Sequence, residues 1–524
     1  MIRRIKLHNF KKFREVDLSI EGDKVIFIGE NGSGKSSILE AISLVINGSF
    51  RTIEEVGLQS LFNVDVIDEY MQGEKSIADL PTLEVELFID DGIKIQELNG
   101  VHNSEGLPHN GLRMKISPND ELSEETIRYL QNSASFPFDY YKLEYLSFTG
   151  LVYNSLEKRS NFPKCTYIHS SKLATKQQLR KFVEHVFHTQ ATPEIRREIN
   201  SEYREITHQF SDNLYSKYQL DENTYNYRIF LDTTTESSFQ DNISLKYRGV
   251  DLGHLGKGEQ IIITTKHAIN ERVQFAKPII LMEEPENHLS YLNMKTLIDV
   301  ISKVTDKQVF IATHSNMVAS RLDLRNSIFL HEGKCTNLKK LNQSTANYFI
   351  KAPDTNVLNF ILAKKVLLVE GDAEYILLDY FFRKQHQCYA YEKNIAIIAC
   401  GGKTFKRYIE LATPLSKKIA IITDNDGDFQ ANVVDQYATL QSELIKAFSD
   451  HDNKNVTFEV SLYQSNVDFY EQKILTSQMG AGVLNFMRSN KTEAALRTLE
   501  ILEQSNPPFN IPQYISDALT WISL

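Results

Sequence analysis

Polar and apolar residues alternate through the first part of the chain, and the alternation ends in the continuous apolar run 25–28. A period of two residues is typical of β-strands. A glycine-rich turn follows, and apolar residues then recur at helical spacing between Ser36 and Val45. The pattern therefore predicts strands, a tight loop and a helix in succession.

Apolar residues also recur at intervals of three and four in the charged, turn-poor stretch from Ser170 to about Leu220, which predicts two amphipathic helices. Strand-like sequence resumes at 227–231. The helical pair, 170–220, is therefore predicted to be inserted into a first domain formed by 1–169 and 221–350. It is a candidate dimerisation arm or coiled coil, and an ordinary packed helical hairpin fits equally well.

Strands and helices alternate after Lys277, with strands expected at 278–282 and 309–313, as in doubly wound α/β proteins. The pattern then restarts, which predicts a second, smaller parallel sheet within 364–465. Its expected strands are 365–369, 394–399 and 418–423. A C-terminal helical segment is predicted for 466–524. The fold class expected is therefore α/β, with two sheets.

The composition of the 524 residues is that of an ordinary globular chain, with 42% hydrophobic and 24% charged residues. Collagen-like, mucin-like and wholly disordered chains are excluded. The net charge of -10 argues against a protein that coats nucleic acid or anionic membrane with its whole surface. No apolar run approaches the roughly 20 residues of a membrane span, and the four cysteines lack zinc or disulfide spacing. A cytoplasmic protein is expected.

The segment Gly29–Ser36 matches G-x-x-x-x-G-K-[ST] between a predicted strand and a predicted helix. In such a loop the backbone N–H groups surround phosphate groups, the lysine reaches the β- and γ-phosphates, and the last hydroxyl binds Mg²⁺. An ATP site is therefore predicted. Its nucleotide-binding residues are Asn31, Gly32, Ser33, Gly34, Lys35 and Ser36.

Two adjacent carboxylates, Glu283 and Glu284, follow the buried strand at 278–282, at the edge where ligands bind in open α/β sheets. Side chains alternate along a strand, so the two acids can take different roles. Glu283 is predicted to bind the Mg²⁺ of the nucleotide, and Glu284 is predicted to activate the attacking water.

Three further segments carry a resemblance to a known class of ATPase: 255–260, 286–289 and 313–315. Together with the phosphate loop, they resemble the ABC-type ATPase heads of DNA-repair and chromosome-organising proteins. The resemblance implies that Gly256, Lys257 and Gly258 form a signature loop completing the nucleotide site of a partner subunit. It also implies that His314 senses the γ-phosphate. A homodimer or higher oligomer is expected.

Acidic residues also follow two strands of the second sheet, in 369–374 and in 423–428. Carboxylates that converge without partnering lysines repel one another, and divalent cations relieve that repulsion. Hard oxygen ligands select Mg²⁺ or Mn²⁺, and a pair of such ions serves phosphodiester cleavage. A calcium loop is an alternative for the second segment, but it lacks the glutamate at loop position 12 and the flanking helices.

Glu-Gly after one strand and Asp-x-Asp after a later strand resemble the Toprim fold of topoisomerases, primases and certain nucleases. An ABC-type head followed by Toprim resembles the OLD family of ATP-dependent endonucleases. The family resemblance implies metal binding by Glu370, Glu374, Asp424, Asp426, Asp428 and Glu471. It further implies that Lys491, in the C-terminal helical segment, stabilises charge on the scissile phosphate.

The leading hypothesis is thus an ATP-gated, metal-dependent DNA endonuclease. The resemblance implies a bacterial antiviral role and helicase-like or reverse-transcriptase and retron DNA partners, with no membrane association. The alternative is a non-nucleolytic ATPase that acts as a DNA-structure or signalling module with an inactive Toprim domain. A basic stretch in the second domain contains Lys403, Lys406, Arg407, Lys417 and Lys418. It predicts either a face that contacts phosphate groups or an ordinary solvated helix.

Overall fold

The computed structural model describes most of the chain. The described residues are 1–89, 96–133, 135–154, 162–169, 176–218, 239, 243–270, 278–352, 356–402, 404–474 and 482–524. The predicted strand at 227–231 lies outside them.

An antiparallel sheet, called the front sheet here, is built largely from the N-terminal part of the chain. Its strands are β1 (Ile2–Phe10), β2 (Phe13–Ser19), β4 (Leu83–Ile89), β5 (Asn99–Gly100), β6 (His109–Pro118) and β7 (Tyr141–Ser147). They follow the order β2-β1-β4-β6-β5, and β7 pairs with β6. The alternating polar and apolar positions of β2 have one buried face and one exposed face, as the sequence pattern predicts.

The second layer is a mainly parallel sheet, called the central sheet, in the order β14-β13-β3-β12-β11-β8. Its strands are β3 (Lys24–Gly29), β8 (Cys165–His169), β11 (Ile279–Glu283), β12 (Gln308–Ala312), β13 (Ser327–His331) and β14 (Lys334–Asn337). A short pair, β9 (Lys246–Tyr247) and β10 (Val250–Asp251), stands apart. Because β3, β8, β11 and β12 run parallel, their carboxyl ends meet at one edge of the sheet.

Helices fill the space around these two sheets. They are α1 (Lys35–Asn47), α2 (Phe50–Val56), α3 (Val64–Gln72), α4 (Ser123–Asn132), α5 (Lys176–Gln190), α6 (Pro193–Tyr218), α7 (Lys257–Asn270), α8 (Tyr291–Ser302) and α9 (Asn316–Arg321). The apolar side chains of α1 belong to a core shared by the front sheet and one face of the central sheet. The two helices predicted for 170–220 are present as α5 and α6.

The second domain contains an all-parallel sheet in the order β16-β15-β17-β18. Its strands are β15 (Lys365–Val369), β16 (Ile395–Ala399), β17 (Lys418–Ile422) and β18 (Ile445–Phe448). The sequence pattern predicts the first three strands and misses β18, because that strand has four residues and an exposed lysine in the middle. The α/β fold class is confirmed, whereas the described residues form three sheets and the short β9–β10 pair instead of the two expected sheets.

Helices of the second half join and cover this sheet. They are α10 (Gln343–Lys351), α11 (Val357–Leu362), α12 (Asp372–His386), α13 (Phe405–Leu415), α14 (Phe458–Ser465), α15 (Val467–Phe469), α16 (Val483–Ser489), α17 (Lys491–Ser505) and α18 (Gln513–Ser523). The C-terminal segment is helical, as predicted. Among the described residues, no helix is long and apolar enough to cross a membrane.

One hydrophobic cluster runs through both domains and is called the bridging core here. It contains buried residues of the central sheet such as Ile26 and Ile311, residues of α10 and α11 such as Phe349 and Phe360, and residues of the second sheet such as Ile419. The two domains are therefore packed against each other and are not joined by a linker alone.

Candidate nucleotide and metal sites

The loop between β3 and α1 has the geometry of a phosphate-binding loop. Gly34 has φ +102°, and a Cβ atom there would lie 2.3 Å from the ring of Phe13, so only glycine fits. The ammonium of Lys35 donates to the carbonyls of Gly29 and Glu30, at 2.9 Å each. Burial lowers the pKa of Lys35 to about 8, although nearby glutamates oppose the shift. An anionic ligand would raise this pKa again.

A cavity of about 150 Å³ opens beside this loop. Its lining residues are Lys12, Asn31, Gly32, Gly34, Lys35, Ser36, Ser37, Glu284, Ala312 and His314. It therefore brings together seven of the predicted nucleotide-site residues. Ser33 is not part of this lining, and its hydroxyl is buried without a hydrogen-bond partner.

Glu284 enters this cavity from the end of β11. Its backbone has φ +45°, and its N–H donates to the carbonyl of Ala312 at 2.8 Å. The side-chain amide of Asn287 donates to Glu284 Oε2 at 2.7 Å, and His314 Nε2 lies 3.8 Å from Oε1. Burial and the charge of Lys35 lower the pKa of His314, which favours a neutral imidazole. Glu284, which could act as a base, and a neutral His314 thus face the same phosphate-sized cavity.

Glu286 orients His314 through the backbone, a role that the sequence pattern did not reveal. Its Oε1 accepts hydrogen bonds from the Thr313 hydroxyl at 2.7 Å and from the His314 N–H at 2.8 Å. Burial raises the pKa of Glu286, and these two bonds oppose the rise. The one sequence signal for this role was that Glu286 directly follows Glu-Glu-Pro. A glutamate buried there needs hydrogen-bond donors such as these two.

Glu283 has different neighbours from Glu284, as expected from alternation along the strand. Its Oε2 accepts a hydrogen bond from the Tyr167 hydroxyl at 2.5 Å and lies 3.0 Å from His169 Nε2. Glu283 does not belong to the lining of the cavity, although its charge acts on Lys35. Its Mg²⁺ role stays a prediction.

The predicted signature loop lies at the start of α7. Gly256 and Lys257 are exposed, and Gly258 is buried against the segment that follows Glu286. A Cβ atom on Gly258 would lie 2.7 Å from the carbonyl oxygen of His288. The exposed loop does not line the nucleotide cavity of its own chain.

Glu370 and Asp424 meet at the carboxyl ends of β15 and β17. Glu370 Oε1 accepts hydrogen bonds from the Thr423 hydroxyl at 2.6 Å and the Asp424 N–H at 2.9 Å. Burial and the charges of Glu370 and Glu374 raise the pKa of Asp424 to about 8. Burial also raises the pKa of Glu374 to about 7, with smaller contributions from Glu459 and Glu370. The predicted convergence of acids is present here.

Glu459 is a member of this cluster that the sequence pattern missed. It lies at the start of α14, and its side chain is buried. The ammonium of Lys491 lies 3.0 Å from Oε2, but neither carboxylate oxygen accepts a hydrogen bond of good geometry. Had β18 been predicted as a parallel strand, the glutamate following it would have been a candidate at the same sheet edge. Lys491 thus contacts the acidic cluster, and the role that the resemblance implies for it stays a prediction.

Asp426, Asp428 and Glu471 make other contacts. Asp426 has φ +48°, and its N–H donates to the carbonyl of Val456 at 3.2 Å. Asp428 Oδ1 accepts from the Ala431 N–H, and Glu471 Oε1 accepts from the Tyr463 hydroxyl at 2.7 Å. Their metal-binding roles stay predictions.

The second-domain cluster fits divalent cations. Two buried oxygens of Glu459 lack well-formed hydrogen bonds, and the neighbouring carboxyls repel one another. Hard oxygen ligands with excess negative charge are what Mg²⁺ and Mn²⁺ bind. Within the described ranges, no three His, Cys, Asp or Glu side chains already form a group that could hold a metal ion.

The basic stretch does not form one continuous phosphate-contacting face, contrary to that expectation. Lys417 is buried and donates to the carbonyl of Ala363. Arg407 donates to the hydroxyls of Ser344 and Thr345, and the ammonium of Lys418 lies 4.5 Å from the ring centroid of Trp521. These cations serve packing between elements. Lys403 lies outside the described residues.

Comparison with known proteins identifies relatives of both domains. Residues 361–426 match the family model for the Toprim domain of overcoming lysogenization defect (OLD) protein-like proteins, and residues 1–95 match that for an AAA ATPase domain.

Two curated relatives match short stretches of the chain. The DNA replication and repair protein RecF of Gloeobacter violaceus is 40% identical over 47 residues, which is 9% of this chain and 12% of that protein. RecF of Rickettsia canadensis is 52% identical over 42 residues, covering 8% of this chain and again 12% of the relative.

Two solved structures cover different shares of the chain. The SMC head domain from Thermotoga maritima has a TM-score of 0.29 at 15% identity and covers 64% of this chain and 97% of its own. The C-terminal region of the Burkholderia pseudomallei OLD protein has a TM-score of 0.23 at 21% identity. It covers 31% of this chain and 97% of its own. From the two family matches, the chain combines an ATPase domain of the AAA group with a Toprim domain of the OLD-like family.

Proposed function

We propose that this protein is an ATP-binding and ATP-hydrolysing, divalent-metal-dependent DNA endonuclease of the OLD type. The observation that carries the proposal is the cluster of Glu370, Glu374, Asp424 and Glu459 with Lys491 at one edge of the Toprim sheet. Such a cluster combines ligands for hard cations with a cation that can face a phosphate. In this proposal, the neighbouring ATPase domain controls DNA cleavage.

In the nucleotide site, the loop N–H groups and Lys35 bind the phosphates, and Ser36 and Glu283 hold Mg²⁺. Bound Mg²⁺ neutralises charge on the β- and γ-phosphates. Glu284 accepts the proton of the attacking water, since its carboxylate lies in the cavity beside Lys35. His314, neutral because of burial and Lys35, donates a hydrogen bond to a phosphate oxygen or to that water.

In the nuclease site, Glu370, Glu374, Asp424 and Glu459 hold the divalent cations, with Mg²⁺ or Mn²⁺ as the candidates. Bound cations supply an activated water and stabilise the leaving oxygen. Lys491 provides positive charge for the scissile phosphate, and Glu459 keeps its ammonium directed towards the carboxylates. Asp426, Asp428 and Glu471 are the remaining ligands in this proposal and would have to turn towards the cluster.

The ATPase works as a homodimer in this proposal, with ABC-type pairing of two heads. Gly256 and Lys257 are exposed and do not line their own nucleotide cavity. Tyr291 and Leu292, at the start of α8, are 57% and 71% exposed. Exposed apolar side chains beside an unused signature loop suit contact with a second copy. A bacterial antiviral role and helicase-like or reverse-transcriptase and retron DNA partners rest on the OLD resemblance alone, and a cytoplasmic location rests on the sequence.

The test is cleavage of supercoiled plasmid in Mg²⁺ and in Mn²⁺, with and without ATP. Asp424→Asn and Glu459→Gln should abolish cleavage and leave ATP hydrolysis intact, because the two sites lie on different sheets. Glu500→Gln, an exposed change on α17, is the matched control and should cleave normally. Cleavage by both site variants at the wild-type rate would contradict the nuclease assignment. ATP hydrolysis and DNA binding without cleavage by the wild type would favour the non-nucleolytic alternative.

A further inference from the structure

The strand before the helical pair places two polar side chains beside Glu283. In the parallel pairing of β8 with β11, His169 lies opposite Glu283 and Tyr167 lies opposite Leu281. Residues two apart on a strand share a face of the sheet. Tyr167 and His169 therefore lie side by side on the face that carries the Glu283 carboxylate.

Both side chains contact the same oxygen. The Tyr167 hydroxyl donates to Glu283 Oε2 at 2.5 Å, and His169 Nε2 lies 3.0 Å from that atom. The site is secluded, since the side chains of His169 and Glu283 are 17% and 12% exposed. A largely buried carboxylate needs such partners to be stable. Two contacts on one oxygen also restrict rotation of the Glu283 carboxylate about its Cγ–Cδ bond.

We infer that Tyr167 and His169 are positioning residues that orient Glu283 for the Mg²⁺ of bound ATP. The inference rests on the proposed nucleotide site and deepens it. A carboxylate that holds a metal through one oxygen is usually fixed by hydrogen bonds to the other, and loss of such an outer partner typically costs about 10- to 100-fold in metal affinity. Tyr167 and His169 act through Glu283 and do not touch the nucleotide in this assignment.

The first experiment removes a single oxygen atom. Tyr167→Phe keeps the ring and its packing but loses the hydroxyl. Binding of a fluorescent, non-hydrolysable ATP analogue is measured as Mg²⁺ is titrated. The Mg²⁺ concentration for half-maximal binding should rise about tenfold, whereas the affinity at saturating Mg²⁺ should stay close to wild type. This readout does not depend on catalysis.

Tyr153→Phe is the matched control. Tyr153 is also buried, and its hydroxyl donates to the Val45 carbonyl at 2.5 Å, away from Glu283. The Tyr153→Phe variant therefore loses a comparable buried hydrogen bond, and the Mg²⁺ dependence of its analogue binding should match wild type. An equal Mg²⁺ shift in Tyr153→Phe and Tyr167→Phe would show a general loss of stability and would overturn the positioning role.

His169 provides an independent pair of variants. His169→Gln keeps a side-chain donor and should retain most of the Mg²⁺ affinity, whereas His169→Leu should lose it about tenfold. Wild-type Mg²⁺ dependence in folded Tyr167→Phe and His169→Leu overturns the inference. Analogue binding by the wild type that does not respond to Mg²⁺ also overturns it while sparing the nucleotide site. Failure of the wild type to bind the analogue at all refutes the proposed ATP site as well.

Discussion

At the scale of single residues, Glu284 has a backbone conformation that residues other than glycine seldom adopt. Its φ of +45° turns the chain sharply after β11 and places the carboxylate in the nucleotide cavity. Such strain persists only where the surroundings impose it, and here the Ala312 carbonyl and the Asn287 amide do so. The geometry supports a catalytic role more directly than the two adjacent glutamates in the sequence do.

Replacement of Glu284 by glutamine should therefore separate nucleotide binding from turnover. The amide retains the shape of the side chain but cannot accept the proton of the attacking water. ATP turnover, measured by phosphate release, should fall about 100-fold, and calorimetric ATP affinity should stay within about twofold of wild type. Asp299→Asn, an exposed change on α8, is the control. Wild-type turnover in Glu284→Gln would exclude the general-base role.

Divalent cations should stabilise the protein even without nucleotide. The carboxylates around Asp424 repel one another, and a ligand that binds only the folded state raises its stability. The thermal unfolding midpoint should rise when millimolar Mg²⁺ or Mn²⁺ is added. The rise should shrink in Glu459→Gln and persist in Glu500→Gln. An identical rise in all three proteins would place the cation elsewhere.

The phosphate loop, Glu284, His314 and the acids after β15 and β17 could be predicted from the sequence because each lies within a short motif at the end of a strand. Tyr167 could not, since its contact with Glu283 spans 116 residues along the chain. Glu459 was hidden for a related reason: it follows β18, a strand too short and too polar to be recognised. Residues brought in by strand pairing alone leave no local pattern.

At the scale of elements, α6 presents apolar side chains that are about half exposed in the described part of the molecule. Ile195, Ile206 and Phe210 are 45%, 58% and 49% exposed. Their spacing places Ile206 and Phe210 one above the other on one face of the helix. We expect this face to pair with a second copy, as the sequence pattern of a dimerisation arm suggests.

The double variant Ile206→Glu/Phe210→Glu should dissociate the oligomer, because paired like charges cannot be buried together at a symmetric contact. Light scattering at micromolar concentration gives the mass directly. Glu205→Lys, which changes charge on an exposed position of the same helix, should leave the mass unchanged. An unaltered mass in the double variant would remove α6 from the interface.

Lys417, which directly precedes β17, should make stability depend on pH. Burial lowers its pKa to about 8, with the charge of Glu30 opposing the shift. Between this value and the unfolded pKa near 10.4, the unfolded chain binds more protons, so the free energy of unfolding rises with pH. Relative to Lys417→Met, wild type should gain about 2 kcal/mol between about pH 7.5 and 9.5. Urea unfolding measures the difference, and a constant gap would contradict the assignment.

At the scale of the whole molecule, the bridging core decides where the Toprim half begins. Phe349 of α10 and Phe360 of α11 pack against Tyr408 of α13, and Arg407 bonds to Thr345. The sequence pattern predicted both sheets but placed the boundary between 350 and 364, because apolar periodicity shows that a face is buried without showing what covers it. Arg321 of α9 also donates to the carbonyls of Ile350 and Ala352, so α10 and α11 pack against both halves, and the boundary stays a prediction.

A fragment covering 342–524 should therefore be more soluble and more stable than one covering 364–524. The shorter fragment exposes the apolar surface of α13 that α10 and α11 cover. Size-exclusion chromatography and thermal unfolding compare the two directly. Equal behaviour would show that the covering helices contribute nothing to this half.

The continuity of the bridging core also has a thermodynamic consequence. Buried apolar side chains of one cluster connect β3, which precedes the phosphate loop, to β17, which precedes Asp424. Two sheets that share a core are expected to melt together, so free energy supplied by a nucleotide to the first sheet also protects the second. Amide hydrogen exchange in β17 should then slow when ATP binds more than 300 residues earlier in the chain.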